Sequence, residues 1–225
     1  MHDCPNRSFR HMQPAVFQNF INMMKRIFFS CLLALLVSVN LQANEDTRAQ
    51  SILSKAATAY QKSGGISIRF GGSQQGTLAL KGTCFYLECG GVKSWFDGTT
   101  QWSYVEQNEE VTVSTPSPDE LQSINPYALI NSYNRLFHCR YGGKHTIRGK
   151  EGNEIILTPR QKGDIESVVL FLSENYQPLY ITVKLASGQT QEFRILDYQT
   201  GMSYTNDTFR FDAKKYPQAE VIDMR

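Results

Sequence analysis

The chain has 225 residues, with 23 lysines and arginines against 21 aspartates and glutamates and a formal net charge of +2. Because the charges nearly balance and no basic run occurs, the composition argues against a nucleic-acid partner. The length suits one domain with a substantial apolar core.

Residues 24–43 have the pattern of a secretory signal peptide. A basic start, Met24-Lys25-Arg26, precedes an apolar stretch that is short for a membrane span, and Ala43 supplies a small residue for cleavage. Residues 1–23 show no periodic apolar pattern and are interpreted as an upstream extension outside the fold. The mature chain is therefore predicted to be one domain, residues 44–225.

Cys31 raises the alternative of a lipid-anchored cysteine. Only four residues separate it from Arg26, and the apolar run continues beyond it, so cleavage near Ala43 is the preferred interpretation. Cys84, Cys89 and Cys139 then remain. A bridge between Cys84 and Cys89 would need a turn or bulge, since they face opposite ways on one straight strand, and buried free thiols are the alternative.

The first predicted element is an amphipathic helix. From Thr47, apolar residues recur at helical spacing as far as Tyr60, and Ser63-Gly64-Gly65 ends the pattern. The period then changes to two, with short glycine-rich turns, which is typical of antiparallel strands. These strands are predicted at residues 66–70, 77–81, around 85–87 and 110–114.

Between them lies the most aromatic stretch of the chain, from Trp95 to Tyr104. Its Asp97-Gly98 dipeptide predicts a tight β-hairpin. Alternation places Trp102 and Tyr104 on one face of the second arm and separates Trp95 from Phe96 on the first.

A helical insert is predicted to interrupt the sheet. Ser117-Pro118-Asp119-Glu120 forms a capping box, Asn125-Pro126 repeats the start signal, and an apolar stripe as far as Phe137 indicates a helix or a helix running into a strand. Strands resume at residues 153–157, 165–172, 179–185, 191–198 and 206–211. Roughly ten or eleven strands favour an antiparallel sheet with strong curvature or partial closure.

The sequence offers little catalytic chemistry. His138 and Cys139 are neighbours and should face opposite ways on a strand, and the common metal, phosphate-loop and nucleophile motifs are missing from the sequence. No cofactor and no metal are expected, and the protein is expected not to be an enzyme. The apolar strand faces would be either a filled core or the lining of a lipid cavity.

Several short motifs occur in the order found in one family. Gly76-Thr77-Leu78-Ala79-Leu80-Lys81 is similar to a Gly-x-Leu-Trp-Val-Lys strand, and Asp97-Gly98-x-Thr100-x-Trp102-x-Tyr104 is similar to a family hairpin. Ile156-Leu157-Thr158-Pro159 and the tail from Phe209-Arg210-Phe211 to Asp223 continue the likeness. Across residues 44–225 the chain resembles the LolA-like family of periplasmic outer-membrane lipoprotein carriers.

The resemblance implies an α+β fold, an incomplete antiparallel β-barrel capped by the N-terminal helix and the central helical insert. It implies a monomeric periplasmic carrier, which takes lipoproteins from an inner-membrane release complex to an outer-membrane acceptor and shields their acyl chains in an apolar cavity. Alternation predicts the lining residues as Ile68, Phe70, Leu78, Leu80, Phe85, Leu87, Trp95, Trp102, Tyr104, Leu129 and Ile130.

One departure concerns the lid. Family members follow the first motif with Arg-Pro, the arginine reaching the lid helices, whereas Gly82-Thr83 stands here. The lid mechanism therefore does not carry over. Two alternatives stay open: a lipid-binding, sensor or interaction domain of the same fold with another amphiphile or a protein partner, and a hydrolase built around His138 or His145.

Overall fold

The computed structural model describes residues 46–117 and 133–225, in which twelve strands form one sheet. The sequence predicts ten or eleven. Helix α1 covers residues 46–62. The strands are β1 (Gly65–Gly72), β2 (Gly76–Lys81), β3 (Cys84–Cys89), β4 (Val92–Phe96), β5 (Gln101–Val105), β6 (Glu110–Ser114), β7 (Phe137–Ile147), β8 (Lys150–Pro159), β9 (Ile165–Leu172), β10 (Pro178–Leu185), β11 (Thr190–Thr200) and β12 (Glu220–Asp223).

The sheet consists of two antiparallel meanders joined along one pair of strands. Its order is β12-β6-β5-β4-β3-β2-β1-β11-β10-β9-β8-β7, so β1 and β11 link the meander β1–β6 to the meander β7–β11. Strand β12 adds in parallel to β6. Within the described residues no pairing joins the edge strands β12 and β7. The expectation of an unclosed, mainly antiparallel sheet is confirmed.

Helix α1 lies on one face of the sheet and contacts both meanders. Ala49, Ile52 and Leu53 are buried in a cluster with residues of β7, β8 and β9, whereas Tyr60 is buried with residues of β1 to β4. The predicted helix and its apolar stripe are therefore confirmed, and Gly64 ends it in the left-handed conformation with φ +73°. We call the covered face the helix-side face and the other the outer face.

The predicted central insert lies mostly outside the described residues. Residues 133–136 are helical and lead directly into β7, whereas the helical insert as a whole stays a prediction. In the parts of the chain that the structure describes, no helix combines the length and apolar character that a membrane crossing requires.

The predicted strand at residues 206–211 is wrong. Residues Asn206–Phe209 form a 3-10 helix, in which the amide of Arg210 donates to the carbonyl of Asp207. Phe209 is only 1% exposed and packs edge-on against Tyr204. The segment therefore packs by its side chains and does not pair as a strand. The strand that the sequence interpretation missed, β12, follows it.

We call residues 201–219 the C-terminal segment. It leaves β11 where the amide of Met202 donates to the carbonyl of Gly65, at 3.0 Å. A β-carbon on Gly65 would lie 2.2 Å from the carbonyl oxygen of Met202, so this close approach requires glycine. Further along, Arg210 Nε forms an ion pair with Asp97 Oδ2 at 3.0 Å, which ties the segment to the β4–β5 turn.

The three cysteines of the predicted mature chain are free thiols. Cys84 and Cys89 stand at opposite ends of β3, where a bridge between them cannot form. Cys139 is buried among apolar residues of α1, β7, β8 and β9. Burial raises the pKa of the Cys139 thiol to about 11 from an ordinary value of 9.0.

We expect a thiol reagent at pH 8 to titrate two thiols in folded chain 44–225 and three after unfolding, because Cys139 is shielded and protonated. Absorbance of the released chromophore measures this. A single reactive thiol after unfolding without reductant would instead indicate a disulfide.

Since the unfolded chain gives up the Cys139 proton at a lower pH than the folded chain, this thiol should lower the free energy of unfolding as the pH rises from 9 towards 11.

Candidate functional site

An apolar band crosses the helix-side face of β1 to β4 and continues onto β11. Ile66 pairs with Leu80, Leu80 with Phe85, and Phe85 with Phe96, so that four side chains form a row across four strands. The two phenylalanine rings stack with centroids 5.7 Å apart. The apolar band comprises Ile66, Ile68, Leu80, Phe85, Phe96 and Ile195, with the half-buried Phe70, Leu78, Leu87 and Tyr198, and Tyr60 of α1 packs onto it.

The structure brings six of the predicted lining residues together in this band: Ile68, Phe70, Leu78, Leu80, Phe85 and Leu87. Leu129 and Ile130, from the predicted insert, lie outside the described residues. The sequence interpretation missed Phe96, Ile66 and Ile195, which occupy the same band. Their role in binding an acyl chain stays a prediction.

The predicted placement of Trp95, Trp102 and Tyr104 on this face requires correction, because all three side chains project from the outer face. Phe96 pairs with Phe85 and faces the helix, so its neighbour Trp95 must point the opposite way. Trp102 pairs directly with Trp95 and shares its face. These residues therefore belong to a second cluster.

This outer-face aromatic cluster is closed by the C-terminal segment. Rings of Phe211 and Tyr216 lie edge-on to Trp95, with centroids 5.5 and 5.8 Å away, and Tyr104 lies 4.7 Å from Tyr216. Trp95 is 6% exposed and Val111 is fully buried. The cluster is packed from both sides by this chain's own residues and leaves Trp95 little contact with solvent.

The apolar band differs from that cluster in how far its members are covered. Ile66, Phe85 and Phe96 are each 1% exposed and form its floor. Phe70, Leu78, Leu87 and Tyr198 are only half-buried. On β11 and β10 the same face continues with the half-buried Phe193 and Ile181, which pair with each other. A hydrocarbon chain laid here would gain about 0.8 kcal/mol for each CH₂ removed from water.

A separate cleft of about 370 Å³ lies between α1 and strands β7 and β8, and it is polar. Its charged groups already have partners: Lys144 Nζ is 2.7 Å from Glu174 Oε1, and the Arg48 guanidinium lies 4.1 Å above the Tyr141 ring. None of the predicted lining residues contributes to it. The cleft is lined by Arg48, Ser51, Ile52, Lys55, Lys144, Asn153, Glu174 and Tyr176.

The Gly82-Thr83 turn, which replaces the family's Arg-Pro, is itself attached to the helix. The hydroxyl of Tyr60, near the end of α1, donates to the carbonyl of Gly82 at 3.1 Å. At the other end of α1 the Tyr133 hydroxyl donates to the carbonyl of Gln50 at 3.2 Å. Tyrosine hydroxyls therefore secure the helix at two points.

We expect Tyr60→Phe to lower the free energy of unfolding by about 1 kcal/mol, because the Gly82 carbonyl loses a partly buried donor. Urea denaturation measures this. The matched control is Tyr180→Phe on β10, whose hydroxyl has no partner among the residues described. An equal loss in both variants would show that the Tyr60 hydroxyl does not stabilise the helix.

The two histidines of the predicted mature chain are exposed on β7 and lie in different surroundings. His138 contacts the Arg160 guanidinium at 3.3 Å, and His145 Nε2 lies 3.0 Å from the carbonyl oxygen of Gly142. Cys139 points to the opposite face from His138 and is buried, as the sequence indicates. No cluster of three potential metal ligands occurs within residues 46–117 and 133–225.

Comparison with known sequences gives a family match. The family described as outer membrane lipoprotein carrier protein LolA matches residues 37–189. The outer-membrane lipoprotein carrier protein of Francisella tularensis subsp. novicida is 24% identical over 132 residues, which cover 56% of this chain and 58% of that relative. The matched region thus spans less than two thirds of the curated relative.

Comparison with solved structures gives one fold match at low sequence identity and one weaker similarity. An uncharacterized conserved protein from Thermus thermophilus superposes with a TM-score of 0.57 and 12% identity, over 78% of this chain and 99% of that chain. A chain of the Pseudomonas aeruginosa MucA/MucB complex gives a TM-score of 0.41 and 14% identity, over 74% of this chain and 62% of that chain.

Proposed function

Because the chain belongs to the outer-membrane lipoprotein carrier family, LolA, we propose that it is a non-enzymatic periplasmic carrier of lipoproteins. It binds their acyl chains on the apolar band and ferries them between the inner and outer membranes. The observation that carries this proposal is the band itself, a run of aliphatic and aromatic side chains on the face that α1 only partly covers.

The energetics of transfer explain why such a surface is needed. Each acyl chain that leaves a membrane exposes CH₂ groups at about 0.8 kcal/mol apiece, on the order of 10 kcal/mol per chain. Packing against Leu78, Leu87 and Phe70 would replace that burial without a covalent or ionic anchor. Cargo held in this way can still pass to an acceptor.

The proposed partners follow from the same logic. A carrier that shields acyl chains in the periplasm needs an inner-membrane complex that releases cargo to it and an outer-membrane acceptor that removes it. The predicted signal peptide at residues 24–43 would deliver the chain to that compartment. A monomer would leave the helix-side face open for both exchanges.

The test is native mass spectrometry of the mature protein purified from the periplasm, with adducts identified after denaturation. We expect an acylated lipoprotein or lipid at near-equal stoichiometry. A bare mass even after incubation with a triacylated cysteinyl peptide would contradict carriage and favour a sensor or interaction domain of the same fold.

A further inference from the structure

A row of uncharged polar side chains continues the helix-side face beyond the apolar band, on β4, β5 and β6. Ser94 pairs with Ser103, and Ser103 pairs with Thr112. Two residues further along the same two strands, Gln101 pairs with Ser114. Because directly paired residues share a face, all five project to the same side as Phe96. We call these five residues the polar row.

Hydrogen bonds organise only part of the polar row. Gln101 Nε2 donates to Ser94 Oγ at 3.2 Å and to Ser103 Oγ at 3.3 Å, and the two serine oxygens lie 3.4 Å apart. Both amide protons of Gln101 are used in these bonds. The amide oxygen of Gln101 and one of the two serine hydroxyl protons remain available for a further hydrogen bond. The hydroxyls of Thr112 and Ser114 have no partner within the part of the chain that the structure describes.

The polar row begins where the apolar band ends. Leu87 is the partner of Ser94, and Phe96 is the partner of Gln101. Ser94 is 7% exposed, the one buried polar residue among those described, while the rest of the row is half-buried. One continuous face therefore changes from hydrocarbon to hydroxyl within the width of a strand, which matches the two ends of an amphiphile.

We propose that the polar row binds the ester carbonyl oxygens of an acylated lipoprotein head and so directs its acyl chains along the apolar band. This inference rests on the proposed function. Serine and threonine hydroxyls donate readily to carbonyl oxygens. The row contains no cation, and the next residue on this face of β6 is Glu110, so an anionic headgroup finds no countercharge there.

The experiment compares two ligands that differ only in the carbonyl groups: a diacylglyceryl cysteinyl peptide and its dialkyl ether counterpart. Binding to the mature chain is measured by calorimetry for the wild type and for Ser103→Ala/Thr112→Val. We expect the wild type to bind the ester ligand about 3 to 10 times more tightly than the ether, and the double variant to bind both alike.

Two matched variants isolate the effect. Thr77→Val removes an exposed hydroxyl from the outer face of β2 and should keep the preference for the ester. Leu78→Ala, in the apolar band, should weaken both ligands equally. The inference would be overturned if Ser103→Ala/Thr112→Val kept the preference for the ester, or if that double variant weakened the binding of both ligands equally. If the wild type binds neither ligand, the proposed function itself fails.

Discussion

Trp95→Ala is expected to lower the free energy of unfolding by about 3–5 kcal/mol and to leave acyl-chain binding per folded molecule unchanged. The indole is buried between β4 and the C-terminal segment, against Phe211 and Tyr216. Removing it opens a cavity that these aromatic rings cannot collapse to fill. Urea denaturation measures the stability, and titration with a fluorescent fatty acyl probe measures binding.

The matched comparison is Phe96→Ala, one residue along the same strand. It should lower the free energy of unfolding by a similar amount, since Phe96 is 1% exposed. It should also weaken binding of the acyl probe, because it removes part of the floor of the apolar band. A loss of binding with Trp95→Ala, at full folding, would place the acyl chain on the outer face and reverse the assignment of the two faces.

Leu87→Asp is expected to weaken acyl-chain binding by more than about tenfold. The side chain is half-buried on the helix-side face, between Leu78 on β2 and Ser94 on β4. A carboxylate there would lose its hydration when a hydrocarbon chain covers it, and no cation of the band would compensate. Titration with a diacylated cysteinyl peptide measures the change.

The control is Thr77→Asp, which introduces the same charge on the neighbouring strand but on the outer face. Thr77 is exposed and pairs with Arg69 of β1 on one side and with Glu88 of β3 on the other, so its carboxylate would stay solvated between charges of opposite sign. We expect binding within about twofold of the wild type. Similar weakening by both substitutions would mean that charge acts at a distance and not through contact with the acyl chain.

Much of the meander β1–β6 could be predicted, including which residues share a face within each strand. The error concerned neighbouring strands: the wrong face of β4 was taken to continue the apolar face of β3. Gly90-Gly91 is a two-residue turn that pairs Cys89 with Val92 and hence Phe85 with Phe96. Counting along that turn would have placed Phe96 in the apolar band and Trp95 on the outer face. The signal was therefore present in the turn length.

The C-terminal region could not be predicted in the same way. Phe209 and Phe211 alternate as in a strand, but each packs by its ring and not by pairing: Phe209 against Tyr204, and Phe211 against Trp95. Strand β12 carries no alternating burial, since all four of its residues are exposed, and it pairs with β6, which is distant in sequence. Local pattern contains no information about such a parallel partner.

The polar row was overlooked for a related reason. Ser94, Ser103 and Thr112 are ordinary residues of exposed strand faces, and only the register across β4, β5 and β6 shows that they continue the face of the apolar band. Their significance depends on long-range pairing, which the composition of a single strand does not report.

The junction between the two meanders has a consequence for the order of folding. Within each meander every strand pairs with its neighbour in the chain, so those contacts close short loops, whereas β1 must find β11 across most of the domain. Closing so long a loop costs more entropy and delays the contact. We therefore expect each half to collapse first and the β1–β11 seam to form late. Until then the edges of β1 and β11 stay unpaired and prone to aggregation.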